Sequence, residues 1–314
     1  MGIREVVAWH RPLAVVGLSC AALVPLGAAG VLLDPRVVLG APVWLKPTKF
    51  ALSIAIYCLS WAWLYAQLRV RRGRLRTAHL AGTVAAVALA VEQVVISVQA
   101  GRGTTSHFNN TSVLDASLWT TMGVSIVLAW LATLWVAAGL FAVRDLDPAR
   151  SVAIRAGTVL SLTGMALGFL MTTPTPDQLA DFRGIAGAHT VGVPDGGPGL
   201  PLVGWSTLGG DLRIPHFAGM HALQLLPLLL VALELAARRV PRLADPRVRR
   251  DLVVTAAAAY AGLLALLTWQ ALRGQPLLAP DAATGVAGAV LLAVVVAGAA
   301  VSLRSRGPAL TPGR

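Results

Sequence analysis

Eight stretches of the chain are apolar over the thickness of a membrane, at roughly residues 12–33, 48–69, 78–100, 117–143, 152–172, 216–237, 251–272 and 282–303. About 20 mainly apolar residues suffice to cross the hydrocarbon core as a helix. The pattern predicts an all-α, polytopic transmembrane helical bundle of about eight spans, built as a single integral membrane domain over residues 1–314. The first stretch, Pro12 to Leu33, is too long for a signal peptide and has no clear cleavage site, so it reads as a spanning helix.

The charges between these stretches alternate. With the amino terminus inside, 19 of the 26 cationic residues fall on inner segments and seven on outer ones. The inner set is Arg4 and Arg11; Arg69, Arg71, Arg72, Arg74 and Arg76; Arg144, Arg150 and Arg155; Arg238, Arg239, Arg242, Arg247, Arg249 and Arg250; and Arg304, Arg306 and Arg314. The outer set is Arg36, Lys46, Lys49, Arg102, Arg183, Arg213 and Arg273. By the positive-inside rule both termini are expected in the cytoplasm. A miscounted span would scramble the alternation downstream, so its regularity supports the count as well as the orientation.

Composition agrees. Hydrophobic residues make up 56% of the chain and charged residues 13%, against about 25% charged in a soluble domain. The net charge of +12 does not imply nucleic acid, because the arginines sit in short loops where they set orientation. Cys20 and Cys58 fall in the middle of the first two spans with no metal-type spacing, and read as small core residues. The expected setting is a bacterial cytoplasmic membrane, with the lipid bilayer and an unidentified small molecule as partners.

One outer loop, 173–215, is far longer than the rest, and loops of that length are usually functional or disordered. Thr175-Pro176-Asp177-Gln178 has the form of a capping box with proline at the first helical position. Leu179, Phe182 and Ile185 follow at three-residue spacing, which predicts a short helix lying on the membrane surface. A turn-rich run from Val193 to Pro201 comes next.

The scarce residue types gather on the outer side. The only lysines are Lys46 and Lys49, in Lys46-Pro47-Thr48-Lys49-Phe50, and the only asparagines are Asn109 and Asn110. Four of six histidines, His107, His189, His216 and His221, are also outer, while His10 and His79 lie at the inner edge. An ammonium is a compact, tunable charge and a guanidinium is not. Lysine kept in an arginine-using chain therefore points to a need for the ammonium. Glu92 lies about 13 Å below the outer end of the third span at ~1.5 Å per residue. Hydrocarbon tolerates such a carboxyl only when it faces protein or water, either neutral or paired with an outer Lys, Arg or His. Gln99 shares its face and Gln93 is turned about 100° away. His221 and Gln224 share a face of the sixth span, whereas His216 and His221 are about 140° apart and do not form a chelating i, i+4 pair. Asp211 and Arg213 are close enough in sequence simply to pair. These groups predict an outer-facing polar pocket. Glu92, Asp211, Lys46 and Lys49 are its candidate catalytic residues. Gln99, Arg102, Asn109, Arg213 and Gln224 are candidate ligand-binding residues, and His107, His189, His216 and His221 candidate metal ligands.

The runs around Lys46 to Phe50, Arg102 to Asn109, His189 to Trp205 and Gly210 to Gln224 resemble a group of uncharacterised bacterial multi-pass membrane proteins, over roughly residues 40–230. The resemblance implies no activity. Three functions remain open. The preferred one is a membrane enzyme holding a transition metal or haem, with Glu92 or Asp211 as general base. The second is a proton-coupled transporter or receptor for a small anionic or zwitterionic solute. The third is a non-catalytic assembly factor that uses its long loop to hold a partner.

Overall fold

The computed structural model describes residues 2–69, 75–143 and 146–304. Arg71, Arg72, Arg74, Arg144, Arg306 and Arg314 of the inner set lie outside the described residues. The α-helices in chain order are α1 (Ile3–Trp9), α2 (Arg11–Leu33), α3 (Leu45–Arg69), α4 (Leu75–Gly101), α5 (Val113–Phe141), α6 (Pro148–Leu167), α7 (Pro176–Ala180), α8 (Arg213–Ala236), α9 (Pro246–Leu272) and α10 (Ala282–Arg304). Eight helical segments among the described residues are long and apolar enough to cross a membrane, one in each expected stretch, and the chain is a multi-pass membrane protein.

Several helices begin about one turn before their apolar stretch, and the caps explain why. Ser112 accepts the Asp115 amide at the start of α5. Asp147 accepts that of Arg150 before α6, and Asp245 that of Arg247 before α9. Proline follows both aspartates at the first helical position, where its missing N–H costs nothing. A cap satisfies one of the orphan amides of a helix start, so the helix extends out to the cap rather than stopping where the hydrophobic residues stop. The cap on α5 places Asp115 on a helix, and Lys46 and Lys49 of α3 and Arg213 and His216 of α8 likewise stand in first helical turns or just beyond them.

Helices α2 to α5 share one core, in which Leu13 and Cys20 of α2 meet Cys58 and Trp61 of α3, Leu89 of α4 and Val136 and Leu140 of α5. Both cysteines are free and buried there, as expected of core residues. A second core joins Ala149 and Ala153 of α6, Leu226 and Leu230 of α8 and Val253 of α9. Helix α10 packs on α9.

Helices α6 and α8 lie against each other through glycine. A Cβ on Gly164 would run into the backbone of Gly219 and Met220, and one on Gly219 into Gly164. Ser161 Oγ donates to the Met220 carbonyl at 3.0 Å along the same seam. Lipid gives helices no hydrophobic reason to associate, so close backbone approach and interhelical hydrogen bonds supply it.

The irregular segments gather at the end of the bundle where α4 stops and α3, α5 and α8 start. The strands β1 (Val37–Val38) and β2 (Ala41–Pro42) pair there, as do β3 (Thr190–Val191) and β4 (Gly210–Asp211). Isolated bridges join Asn109 to Ile185 and Gly199 to Ser206. The expected short helix is present as α7, and its capping box between Thr175 and Gln178 is formed. Gln178 also bonds both backbone groups of Gly187, tying α7 to the following loop.

Replacing Gly164 by valine is expected to lower stability in detergent by about 2 kcal/mol, the usual scale of overpacking. The same change at Gly285, where a Cβ meets nothing within 4 Å, is expected to be neutral. Equal melting temperatures for the two variants would contradict the close α6–α8 seam.

Candidate functional site

Three backbone segments, 107–111, 181–191 and 193–211, make a cap over the ends of α3, α4, α5, α6 and α8. The segment 181–191 hydrogen-bonds the segment 107–111 through Ala186 N to Phe108 O (2.9 Å) and Asn110 N to Gly184 O (2.6 Å). It then reaches the end of α6 through Ala188 N to Met171 O (3.0 Å), and the start of α8 through Leu212 N to His189 O (2.9 Å). Phe108 is held at φ +62° with its side chain buried against Trp119 and His189. A bulky residue in the left-handed region costs roughly 1–2 kcal/mol. The packing holds it there and thereby orients His107 on one side and Asn109 on the other.

Under this cap four of the expected residues come together. Glu92 of α4 is 4% exposed. Its Oε1 lies 3.7 Å from His107 Nε2 and its Oε2 has no hydrogen-bond partner. The His107 ring is walled by Phe50, Phe108 and Trp119, with ring centroids at 5.6, 5.9 and 5.4 Å, and faces His189 at 6.4 Å. Lys46 of α3 places its ammonium 5.9 Å from the centre of the Phe50 ring and within electrostatic reach of Glu92, His107 and His189. Among the described residues it makes no hydrogen bond and no ion pair. Lys46, His107, His189 and His216 each keep some water-accessible surface.

Each histidine is anchored through Nδ1. Asp195 Oδ2 lies 2.6 Å from Nδ1 of His189, and the Gly164 carbonyl 2.7 Å from Nδ1 of His216. Ser106 Oγ lies 3.1 Å from Nδ1 of His107. A carbonyl can only accept, so His216 carries its proton on Nδ1 and presents Nε2 as a lone pair. The same tautomer follows for His189 beside an ionised Asp195. Burial would raise the Asp195 carboxyl, but hydrogen bonds from His189 and Thr190 outweigh it and hold the group below the usual carboxylate range. Burial, then the positive charge of Lys46, pushes His107 well below the ordinary histidine value. Burial also lowers His189, against the pull of Asp195. Both imidazoles are therefore neutral at pH 7.

The remaining candidates are committed to structure. Asp211 is fully buried, and its two oxygens accept from Ser206 N (2.7 Å), Arg213 N (3.0 Å) and the Arg213 guanidinium (2.6 Å). It has no oxygen left for a substrate. Arg213 and Lys49 also hold the cap, donating to the carbonyls of Gly204 (2.6 Å) and Val203 (2.9 Å). Gln99 and Arg102 converge on Asp115, at 2.8 and 2.5 Å from its Oδ1. Asn109 bonds Thr104, Thr105 and Thr111 within its own loop. His221 stacks edge-on against Phe217 at 4.3 Å, and Gln224 donates to Ser60 Oγ at 3.1 Å, apart from the His107 cluster. Among the described residues no three His, Cys, Asp or Glu side chains are disposed to hold one metal ion. At the opposite end His10 is closed as well. Its Nδ1 accepts the Leu13 amide and its Nε2 donates to the His79 carbonyl.

Sequence reasoning missed Asp115, Asp195 and Trp119. Asp115 had a signal in the Ser112-x-x-Asp115 spacing of a helix start. Asp195 lay inside a Pro-Asp-Gly run that reads as a turn and nothing more. Two hollows of the molecule lie elsewhere, one between Leu13, Trp61 and Gly82 and one an apolar groove along Val15, Val87 and Val94. No protein family, curated protein or solved structure matches the chain.

The neutral imidazoles fix a pH dependence. His10, His107 and His189 all have lowered values in the fold, so below about pH 6.5 the unfolded chain binds more protons than the folded one. Stability contributed by these groups is complete above that pH and is lost as pH falls, and Asp195 adds a further loss below about pH 4. The melting temperature in detergent is expected to fall between about pH 7 and pH 5, and less steeply in His107→Asn. A flat profile would contradict neutral buried imidazoles.

Proposed function

We propose that this protein, set in a bacterial cytoplasmic membrane with both termini inside, binds a small anionic or zwitterionic solute at its extracytoplasmic face and couples binding to a proton on Glu92. The observation that carries this reading is the state of Lys46. Of the four cations among the candidate catalytic and ligand-binding residues, Lys49, Arg102 and Arg213 are spent on protein acceptors. Lys46 alone among them is uncommitted, and it stands beside a carboxyl with an orphaned oxygen. Leaving a buried polar atom unpaired costs about 1–3 kcal/mol, so the Glu92 oxygen favours an occupant that pairs with it, and Lys46 has donors to offer the same occupant. An acid group of that occupant accepts from Lys46. Glu92 faces His107 at 3.7 Å and lies within electrostatic reach of Lys46, with Lys49, His189, Asp195, His216 and Arg213 as the other titratable or charged groups of the cluster. A negative charge arriving at Lys46 therefore shifts the proton affinity of Glu92, which is the physical content of coupling.

A metal or haem centre is the second reading, and the Nδ1-anchored histidines favour it. Metal-bound imidazoles commonly donate their other nitrogen to a carboxylate or carbonyl, as His189 and His216 do. Ligation needs about 2.0–2.2 Å from every donor to one point, and the described residues offer no such convergence. The uncommitted ammonium of Lys46 also repels a cation. The solute reading needs neither obstacle removed.

Orientation is tested by cysteine labelling in a variant lacking Cys20 and Cys58. A single cysteine at Gly197, which is exposed and where a Cβ meets nothing within 4 Å, is expected to react with an impermeant maleimide on intact cells, and one at Leu146 only after lysis; the reverse result defeats the topology. Function is tested on purified protein with a panel of small carboxylates, phosphates and amino acids, read by thermal shift. At least one compound is expected to stabilise the wild type, with affinity lost about tenfold or more in Lys46→Met and its pH dependence flattened in Glu92→Gln. No stabilisation by any anion, together with one bound metal or haem per chain, would replace the solute by the metal centre.

A further inference from the structure

Resting on that reading and narrowing it, we propose that the ligand carries a primary ammonium next to its acid group, and that Glu92, His189 and His216 are the acceptors for the ammonium. The tally of donors and acceptors leads there. Besides Glu92 Oε1 and His107 Nε2, which face each other at 3.7 Å without a hydrogen bond, the uncommitted groups of the cluster are Lys46, Oε2 of Glu92, and Nε2 of His189 and of His216. Lys46 offers donors only, and so calls for an acid. The other three offer lone pairs, and so call for N–H donors. A primary ammonium supplies three donors and no acceptor. Neutral solutes and simple anions leave the three lone pairs unmatched.

Charge points the same way. Lys46 and an ionised Glu92 cancel, and the neutral histidines add nothing. A cluster that is neutral overall and polarised from Lys46 to Glu92 suits a guest that is neutral overall and polarised in reverse. A bare metal cation brings no counter-charge for Lys46. A zwitterion brings its own. Phe50 and Trp119, which wall His107, add the faces that an ammonium prefers.

This chemistry has two sources at the outer face: a free amino acid or amino phosphate, and the headgroup of an ethanolamine phospholipid. Full-length protein in detergent is titrated with two matched pairs, phosphoethanolamine against phosphocholine and β-alanine against its trimethyl derivative. Within each pair the charges are the same, and the quaternary member carries three methyl groups in place of the N–H donors. In at least one pair the primary amine is expected to bind about tenfold or more tightly, as loss of hydrogen bonds to a charged group requires. Glu92→Gln is expected to narrow that gap, and Lys46→Met to weaken both members alike. The wild-type comparison needs no variant, so it stands even if a variant fails to fold. Equal binding within both pairs, lost in Lys46→Met, overturns the ammonium assignment and leaves the solute reading intact. Binding by none of the four compounds, nor by propionate or inorganic phosphate, overturns the solute reading itself. Nanodiscs separate the sources. Occlusion of the site in phosphatidylethanolamine discs but not in phosphatidylcholine discs identifies the lipid headgroup, and equal access in both identifies the free solute.

Discussion

A carboxyl group below the membrane surface must be enclosed by protein, and that constraint on Glu92 organises the end of the bundle where α4 stops. An acidic side chain facing lipid near the bilayer centre costs about 2.5–3.5 kcal/mol or more. Glu92 escapes that cost because it turns inward between α3 and the 107–111 segment, where an ammonium and an imidazole stand. The enclosure has to be built, since α4 ends only about three turns further on. The cap builds it. Its strands and bridges are short because they close a bundle end, and their hydrogen bonds go to loop, helix end and side chain rather than to a sheet.

The cap explains why so many charged residues of this end are unavailable for chemistry. Backbone removed from water needs partners for its amides and carbonyls. Lys49 and Arg213 supply donors to two adjacent carbonyls, those of Val203 and Gly204. Asp195 supplies acceptors to two successive amides, those of His189 and Thr190. Asp211 takes the Ser206 amide and stays matched by Arg213. These ionised groups act as ends for the loop's backbone. The cost of burying them is offset by that wiring, which fixes the histidines in one tautomer. Loop closure and site preorganisation are therefore the same set of bonds. A cap anchored by several charge-assisted bonds behaves as a rigid roof, and the position of His189 Nε2 is set as firmly as that of a residue on a helix.

The helices were legible from the sequence because hydrophobic length and arginine alternation are both long, redundant signals. The site was legible only as a neighbourhood. Rarity of Lys and Asn, and the depth of Glu92, drew attention to one end of the bundle. They could not distinguish Lys46 from Lys49, which lie one turn apart on the same helix and differ only in whether a loop carbonyl arrives. That carbonyl belongs to Val203, over 150 residues away in the chain. The roles of Gln99, Arg102 and Asn109 escaped for a similar reason. Their partners are Asp115 and nearby threonines, ordinary helix-start residues whose burial is decided by tertiary packing. Gly164 and Gly219 were hidden altogether, because small residues are abundant throughout the chain and only the backbone contact of α6 with α8 singles out this pair.

The use of lysine at position 46 follows from the geometry rather than from charge alone. A guanidinium carries its donors in a fixed planar fork and keeps its charge in any surroundings, while an ammonium can point its protons at whichever acceptor is present. Elsewhere at this end arginine meets planar partners: Arg213 straddles the Asp211 carboxylate, and Arg102 bridges Gln99 and Asp115. Lys46 faces Glu92 without pairing with it, beside a ring and two neutral imidazoles. The ammonium leaves the Glu92 Oε2 without a hydrogen bond and the cation without an ion pair. A buried oxygen left in that state is unfavourable for stability alone.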